Sequence, residues 1–222
     1  STSSFGEVGT KALDYLNKTS FEIIKNPYGR KLTADEVIDL LDDKVVGIIA
    51  GLEELSSTTL KNSNVQVISR VGSGISNVDE DFIRKKNIKL FVTASAPVNS
   101  VAEITVLNIL SLLRNTHEMN YDMHNMKWSR KIGREIKNKN VVIFGYGQIG
   151  RKVSSLLEAF GAKIYFVDPH IDNKNKPENL ISKEQAISIA DIITIHVNKE
   201  VKILDSDDFK MMKKNAFVLN SS

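Results

Sequence analysis

The stretch from Val141 to Asp168 constrains the fold more than any other part of the sequence. It opens with four consecutive apolar residues, which are typical of a strand buried on both faces. Three glycines follow, at positions 145, 147 and 150, and an apolar pattern at helical spacing comes next. A second apolar run, Ile164 to Val167, then ends on an acidic residue. This order predicts a strand–turn–helix–strand unit of the kind that binds a dinucleotide.

Each glycine of the turn has a distinct physical role in such a unit. Gly145 permits the tight turn, Gly147 lets a pyrophosphate approach the bare backbone, and Gly150 lets the helix pack on the strand. Gln148 and Ile149 lie at the predicted helix start, where free N–H groups and the positive end of the helix dipole attract phosphate. We therefore predict that these five residues bind the cofactor.

Asp168 is the predicted acidic partner of the cofactor ribose. A carboxylate at the end of the second strand accepts hydrogen bonds from a ribose diol and repels a 2′-phosphate, so it favours NAD over NADP. Two alternatives remain open at this point. Glycines often mark turns without a function, and methyltransferases also combine a glycine-rich turn with a downstream acid. The full three-glycine spacing favours the dinucleotide.

Strand and helix patterns alternate along the rest of the chain, which predicts an α/β fold with parallel sheets covered by helices on both faces. Thr33 and Glu36 have the spacing of a capping box at a helix start. A boundary is predicted after Pro97, giving domains 1–97 and 98–222. The predicted strands outside the glycine stretch are 21–24, 45–50, 65–68, 88–92, 191–196 and 216–219.

Two helical segments are predicted between the boundary and the glycine stretch. Ser100 and Glu103 have the spacing of a second capping box, and the helix behind them is apolar on nearly every face. Such a helix is expected to be buried, at a domain junction. Residues 116–139 are polar, basic and helical in pattern around Trp128.

Composition excludes several classes of protein. The chain has 222 residues, a net charge of +3 and no cysteine, so disulfides and thiolate metal sites are excluded and nucleic-acid binding has no support from charge. The sequence shows no signal peptide and no apolar run of membrane-spanning length, so we expect a cytoplasmic protein without a membrane partner. His117, His124 and His170 do not cluster with acids, so no metal site is predicted.

Several motifs in this order resemble the D-isomer-specific 2-hydroxyacid dehydrogenases, and within them the D-3-phosphoglycerate dehydrogenase branch. The resemblance covers essentially the whole chain. Its pieces are residues 26–30, residues 70–74 with Asn77 and Asp79, residues 101–103, Trp128, the glycine stretch, Asp168-Pro169, the strand ending at His196, and residues 220–222.

The resemblance implies two doubly wound domains of similar build. The first, 1–97, would be a flavodoxin-like substrate-binding domain, and the second, 98–222, a Rossmann NAD-binding domain that is incomplete at its C-terminus. A hydride would pass between C2 of a D-2-hydroxy acid, with phosphoglycerate the first candidate, and the nicotinamide. A homodimer through the nucleotide-binding domain is also implied. The alternative is a non-catalytic NAD-binding regulator, similar to the corepressors of this family.

The resemblance also assigns residues on the substrate side. The backbone N–H groups of Val71, Gly72 and Ser73 would face the substrate carboxylate, since a glycine-rich turn offers bare backbone. Arg70 would lie near the acidic groups of the substrate, with an ordinary surface ion pair as the equal alternative. His196, at a strand end by the cofactor, matches a wall residue of the cofactor site rather than the catalytic base.

None of the family's three catalytic residues is predicted within these residues. The arginine that grips the carboxylate follows directly after the segment that here ends at Ser222, and the glutamate and the proton-transferring histidine lie further on. We therefore expect the chain as written to bind NAD and to turn over poorly or not at all. The segments 96–99 and 197–200 are shorter than in the family, and we expect residues to be missing there.

Overall fold

A computed structural model of the protein describes residues 5–6, 9, 11–72, 74–171, 177–197 and 201–221. The chain folds into two compact units, Ser1–Pro97 and Val98–Ser222. Each unit is an α/β structure, and the α/β class predicted from the sequence is confirmed. The described residues include no helix that is both long and apolar enough to cross a membrane.

The first unit is built on a parallel sheet whose described strands have the order β1-β2-β3. Ala50 pairs with Arg70, and Arg70 pairs with Val92, so the carboxyl ends of the three strands lie at one edge. Its elements are α1 (Lys11–Leu16), α2 (Ala34–Leu40), β1 (Gly47–Ala50), α3 (Ser57–Leu60), β2 (Val67–Arg70), α4 (Glu80–Lys85) and β3 (Lys89–Val92).

The start of α2 in the first unit is closed by side chains, as the sequence indicates. The Thr33 hydroxyl accepts from the Glu36 N–H, and the Glu36 carboxylate accepts from the Thr33 N–H at 2.8 Å, so the predicted capping box is confirmed. Arg30 donates two hydrogen bonds to the same carboxylate. These bonds lower the pKa of Glu36 to about 2, with the backbone N–H of Thr33 as the second cause.

The second unit has a parallel sheet whose described strands have the order β5-β4-β6-β7. The chain leaves the central strand β4 for one side, to β5, and then crosses to β6 on the other side. Strand order therefore reverses between β4 and β6, which is where open α/β sheets bind their ligands. Its elements are α5 (Val98–Arg114), α6 (Thr116–His124), β4 (Asn140–Phe144), α7 (Gln148–Ala159), β5 (Lys163–Val167), α8 (Lys183–Ile189), β6 (Ile192–Ile195), α9 (Ser206–Met211) and β7 (Phe217–Asn220).

Strand β4 explains why this sheet is covered on both faces. Val141 and Ile143 point into a core formed with α5 and α7, whereas Val142 and Phe144 point into a core formed with α8. Because successive side chains of a strand alternate between faces, four consecutive apolar residues can be fully buried only when helices lie on both sides. The continuous apolar run in the sequence is thus accounted for.

Several predictions of local structure are wrong. Residues 21–24 form no strand, because no strand in the described part of the chain pairs with this segment. Phe21 is exposed. Helix α5 begins at Val98, so Ser100 lies inside its first turn and does not cap it. Only one face of α5 is buried within its own unit, whereas the opposite face exposes apolar side chains. Those exposed side chains are Ile104, Leu107 and Leu112.

The segment before the glycine stretch is less helical than predicted. Helix α6 ends at His124, and residues 127–137 have no regular structure. Trp128 is 88% exposed, so it does not anchor a packed helix. Residues 198–200 lie outside the described residues, and α5 follows Pro97 directly. The expectation of missing residues at 96–99 and 197–200 therefore stays a prediction.

Candidate cofactor-binding site

The glycine turn lies at the carboxyl end of β4, against the end of β6. Gly145 has a φ of +88°, and a Cβ atom on it would lie 2.5 Å from the backbone oxygen of His196. Its N–H donates to the carbonyl of Val167 at 2.9 Å. The turn is therefore fixed between β5 and β6 at the point where strand order reverses.

Gly150 and Gly147 have opposite surroundings. A Cβ atom on Gly150 would lie 2.2 Å from the backbone oxygen of Gly145, so α7 can pack on the turn only without a side chain there. Among the described residues, nothing lies within 4 Å of the corresponding position on Gly147, whose φ is an ordinary −74°. Neither packing nor backbone strain requires glycine at 147, and the open space above it fits a ligand that approaches the backbone closely.

Helix α7 begins without a side-chain cap. Gly147 is its N-cap residue, no side chain of the described residues caps its first turn, and that turn carries no acidic residue. Gln148 is exposed and Ile149 is half-buried at this end. The first N–H groups of a helix have no partner within the helix, so this end presents donors and a positive dipole end to an anion.

The Asp168 carboxylate is fixed beside the turn by two backbone N–H groups. Its Oδ2 atom accepts from Tyr146 at 2.8 Å, and its Oδ1 atom accepts from His170 at 2.9 Å. A carboxylate oxygen has two lone pairs, so each oxygen can accept a further hydrogen bond. The structure therefore brings the predicted ribose acid next to the predicted phosphate site.

Tyr146 was not predicted as a site residue, although it organises the turn. Its ring stacks on Phe166 with centroids 3.8 Å apart, and its hydroxyl lies 3.3 Å from Ser154 Oγ. Arg151 Nε donates to the Tyr146 carbonyl at 3.0 Å, and its guanidinium lies 5.1 Å from the ring centroid. The signal in the sequence was an aromatic residue between two glycines, with an arginine directly after the third.

His196 follows β6 and lies against the turn, with its side chain almost fully buried. Its Nε2 atom is 3.0 Å from Thr194 Oγ1, and its Nδ1 atom is 3.2 Å from Ser221 Oγ. Burial lowers its pKa to about 4, so the ring is uncharged at neutral pH. The partners Ser221 and Thr194 were not predicted, because only the tertiary structure brings strand ends together.

The predicted substrate turn of the first unit is engaged in bonds within the protein. The Val71 N–H donates to the Ala50 carbonyl at 2.9 Å, and the Gly72 N–H donates to Thr93 Oγ1 at 2.8 Å. Ser73 lies outside the described residues. In this conformation the first two N–H groups are not available to a carboxylate, and the assignment of the three residues to the substrate stays a prediction.

Arg70 is buried, so its interpretation as a surface ion pair is wrong. Its guanidinium donates to the carbonyl of Val71 and to Asn77 Oδ1, the latter at 3.3 Å. Asn77 in turn donates to the Glu53 carbonyl at 2.6 Å. Burial lowers the pKa of Arg70, and the nearby charge of Glu53 raises it. Proximity to a substrate remains a prediction.

The described residues contain no group of three or more acidic or histidine side chains that could hold a metal ion. The arrangement in the second unit instead combines an open helix start, a bare glycine and a fixed carboxylate, which together fit the phosphates and a ribose of a dinucleotide.

Comparison with known proteins agrees with this geometry. Residues 106–222 match the family model described as D-isomer-specific 2-hydroxyacid dehydrogenase, NAD-binding domain. The match confirms NAD, which was predicted from the glycine turn and Asp168, as the cofactor.

Individual relatives extend the similarity to both units. The chain is 29% identical to YoaD of Bacillus subtilis, whose assignment as a 2-hydroxyacid dehydrogenase is itself provisional, and the match covers 100% of this chain and 68% of that protein. It is 27% identical to D-3-phosphoglycerate dehydrogenase 1 of Saccharomyces cerevisiae, over 99% of this chain and 50% of that protein. The chain thus spans half of the yeast relative's length.

A solved structure supports the fold. The crystal structure of D-lactate dehydrogenase from Aquifex aeolicus, in complex with NAD and lactic acid, matches with a TM-score of 0.79 and 21% identity. The match covers 99% of this chain and 67% of that one. At this identity the likeness concerns the fold. The NAD-binding regulator considered above gains no support from these relatives.

Proposed function

Because this chain belongs to the D-isomer-specific 2-hydroxyacid dehydrogenases, we propose that the protein is an NAD-dependent oxidoreductase acting on the CH–OH group of a D-2-hydroxy acid. The observation that carries the proposal is the uncapped start of α7 beside the fixed Asp168 carboxylate. The chemistry that NAD supplies when bound is the acceptance or donation of a hydride at C2 of the substrate.

The chain's own residues would bind and orient the cofactor. The N–H groups at the start of α7, with Gln148 and Ile149, would hold the pyrophosphate, and Gly147 would let it approach. Asp168 would accept from the ribose diol with the lone pairs that its two backbone partners leave. His196 would form an uncharged wall of the same crevice, since its pKa of about 4 keeps the ring neutral at neutral pH.

For the substrate, we propose a phosphoglycerate-like D-2-hydroxy acid as the first to test, in view of the similarity to the yeast enzyme. Arg70, Val71, Gly72 and Ser73 remain the proposed substrate residues. For Val71 and Gly72 this role requires their N–H groups to leave Ala50 and Thr93.

We also propose a homodimer through the second unit, in the cytoplasm. The support is apolar surface after α6, where Met126 is 95% and Ile132 is 94% exposed. Exposed apolar side chains in one segment are a common feature of surfaces between protein chains.

Calorimetric titration with NAD tests the cofactor site, with two glycine variants as a matched pair. Gly147→Ala and Gly74→Ala both place a methyl group in open space, but only the first lies at the start of α7. We expect Gly147→Ala to weaken NAD binding by about tenfold or more, because a methyl group obstructs the approach of the pyrophosphate. Gly74→Ala should bind as the unaltered chain does. Equal affinities for all three would refute the site.

Absorbance of NADH tests the activity and the choice of substrate. The assay offers the protein NAD with either D-3-phosphoglycerate or D-lactate. We expect NADH to form faster with D-3-phosphoglycerate. A preference for D-lactate would contradict the proposed substrate.

A further inference from the structure

The geometry points to His196 as a positioning residue that carries its one ring proton on Nδ1 and, through Ser221, ties the end of β7 to α5. The hydrogen-bonded chain runs from Thr194 through His196 and Ser221 to Thr105 on α5, and it ends on a backbone carbonyl. Thr194 and Thr105 are both buried. Nothing in the sequence pattern joins these residues, which come from three separate elements.

The α5 end of the hydrogen-bonded chain determines which group donates in each of its hydrogen bonds. Thr105 Oγ1 lies 2.7 Å from the Val101 carbonyl, which can only accept, so the single hydroxyl proton of Thr105 is used there. In its contact with Ser221 Oγ, at 3.3 Å, Thr105 must therefore accept. Ser221 then has no proton left for His196, and the 3.2 Å contact between them requires a proton on Nδ1 of the ring.

The β6 end leads independently to the same arrangement. Thr194 is completely buried, and in the part of the chain that the structure describes its hydroxyl has one hydrogen-bond partner, His196 Nε2 at 3.0 Å. A buried hydroxyl proton without an acceptor costs free energy, so Thr194 donates and Nε2 accepts. A neutral histidine with an accepting Nε2 has its proton on Nδ1.

The absence of charge on the ring agrees with both arguments. Burial is the cause that lowers the pKa of His196 to about 4. Protonation would place a second donor on Nε2, against the Thr194 hydroxyl, and would leave that hydroxyl's proton without its acceptor. The ring is therefore suited to hold a fixed hydrogen-bond pattern rather than to exchange protons.

The position of His196 explains what the hydrogen-bonded chain would accomplish. Its N–H donates to the Phe144 carbonyl at 2.8 Å, so its backbone is fixed to the strand that leads into the glycine turn. Beyond Asn220, the N–H of Ser221 reaches the Ile195 carbonyl only at 3.5 Å, which is long for a backbone bond. The side-chain hydrogen bonds of Ser221 therefore hold the end of β7 in register with the turn. The consequence for NAD binding rests on the proposed function.

Nuclear magnetic resonance of the chain with ¹⁵N-labelled histidine tests the proton assignment. The His196→Asn variant identifies the His196 signals, because they are the ones missing from its spectrum among those of the four histidines. We expect Nδ1 to be protonated and Nε2 unprotonated, with no change between about pH 5 and about pH 8, where an ordinary histidine titrates. A proton on Nε2 at neutral pH, or titration near the ordinary pKa, would overturn the inference.

Two amide substitutions at His196 distinguish the roles of its two ring nitrogens. His196→Asn places an amide nitrogen near the position of Nδ1 and can still donate to Ser221, whereas the longer side chain of His196→Gln reaches the position of Nε2. Ser221→Ala removes the hydrogen bonds to His196 Nδ1 and to Thr105, so it should raise the unfolding equilibrium constant by about twentyfold in the unaltered chain and in His196→Asn. In His196→Gln, where only the bond to Thr105 is left to lose, the increase should be about fivefold. Equal effects of Ser221→Ala in His196→Asn and in His196→Gln would refute the link.

Titration with NAD then tests the functional consequence. His196→Gln and Ser221→Ala should weaken NAD binding severalfold. His196→Asn, which keeps the donor to Ser221, should bind NAD nearly as tightly as the unaltered chain. If the unaltered chain itself does not bind NAD, the proposed function fails, whereas the proton assignment and the Ser221 cycle still decide this inference. If all variants bind NAD equally well, the positioning role is refuted.

Discussion

The turn after β2 in the first unit and the turn after β4 in the second begin alike and then diverge. Each comes directly after a central parallel strand, and each contains a glycine with positive φ, +129° at Gly72 and +88° at Gly145. In the first turn, the N–H groups of Val71 and Gly72 are used within the protein. In the second, a helix starts at once, and no side chain of the described residues caps its first turn.

The starts of the two following helices show the same difference. Helix α4 is capped by Asp79, whose carboxylate accepts from the Phe82 N–H, and Glu80 and Asp81 fill its first turn. These carboxylates already satisfy the positive end of that helix. Gly147 offers no such group to α7. The start of α7 is therefore open to an anion, whereas the start of α4 is already occupied by carboxylates, and this difference distinguishes the proposed cofactor turn.

The largest expected effect is on the free energy of unfolding, when a methyl group is added to the positive-φ glycine of each of the two turns. Gly145→Ala should destabilise the second unit by about 3 kcal/mol or more, because the methyl meets the His196 backbone oxygen at 2.5 Å. Gly72→Ala should cost about 1 to 2 kcal/mol, since its close neighbour is the movable end of Arg70 at 2.9 Å. Urea unfolding measures both. Equal costs would mean that backbone strain, not packing, sets the need for glycine.

A buried base beside each turn gives the second prediction. Arg70 keeps its charge, whereas the pKa of His196 falls from 6.5 to about 4. The unfolded chain therefore binds the proton more readily, and stability from this group is full above about pH 6.5 and is lost as pH falls through about 4. The loss is on the order of 3 kcal/mol. The free energies of unfolding of the unaltered chain and of His196→Asn, measured in urea, should converge at low pH. A difference between them that stays constant with pH would contradict this.

The carboxylate at the cofactor turn gives a third test. Asp168→Asn should weaken NAD binding by about tenfold to a hundredfold, because hydrogen bonds to a charged group are lost. Discrimination against NADP should narrow, since the negative charge that repels a 2′-phosphate is removed. Asp207→Asn, an exposed acid paired with Lys210 on α9, is the matched control. If the two variants bind both cofactors alike, Asp168 has no part in the ribose site.

The smallest expected changes concern the two helix starts. Asp79→Ala should lower the free energy of unfolding by about 1 kcal/mol, through loss of the cap on α4. Gly147→Ser supplies a cap where α7 has none, so it should raise stability by a few tenths of a kcal/mol and still weaken NAD binding. Thermal unfolding measures the stability of both variants, and calorimetric titration measures their affinity for NAD. A Gly147→Ser chain with full NAD affinity would contradict the idea that the bare start serves the ligand.

Much of the fold could be predicted from local pattern. The apolar run Val141 to Phe144 and the Thr33–Glu36 capping box are short-range features, and both are present as expected. Prediction failed for residues 21–24, where an apolar segment has no strand beside it, within the described residues, to supply hydrogen bonds. It failed also for α5, because apolar character does not tell which face of a helix will be covered.

The sequence by itself determined the α/β class and NAD as the cofactor, since these depend on residues close together in the chain. The tertiary structure decided which of two similar turns presents free donors, and it joined Thr105, Thr194, His196 and Ser221 into one hydrogen-bonded chain. The physical reason is that strand alternation and helix capping act over a few residues, whereas burial and hydrogen-bond partners arise only when distant elements pack together.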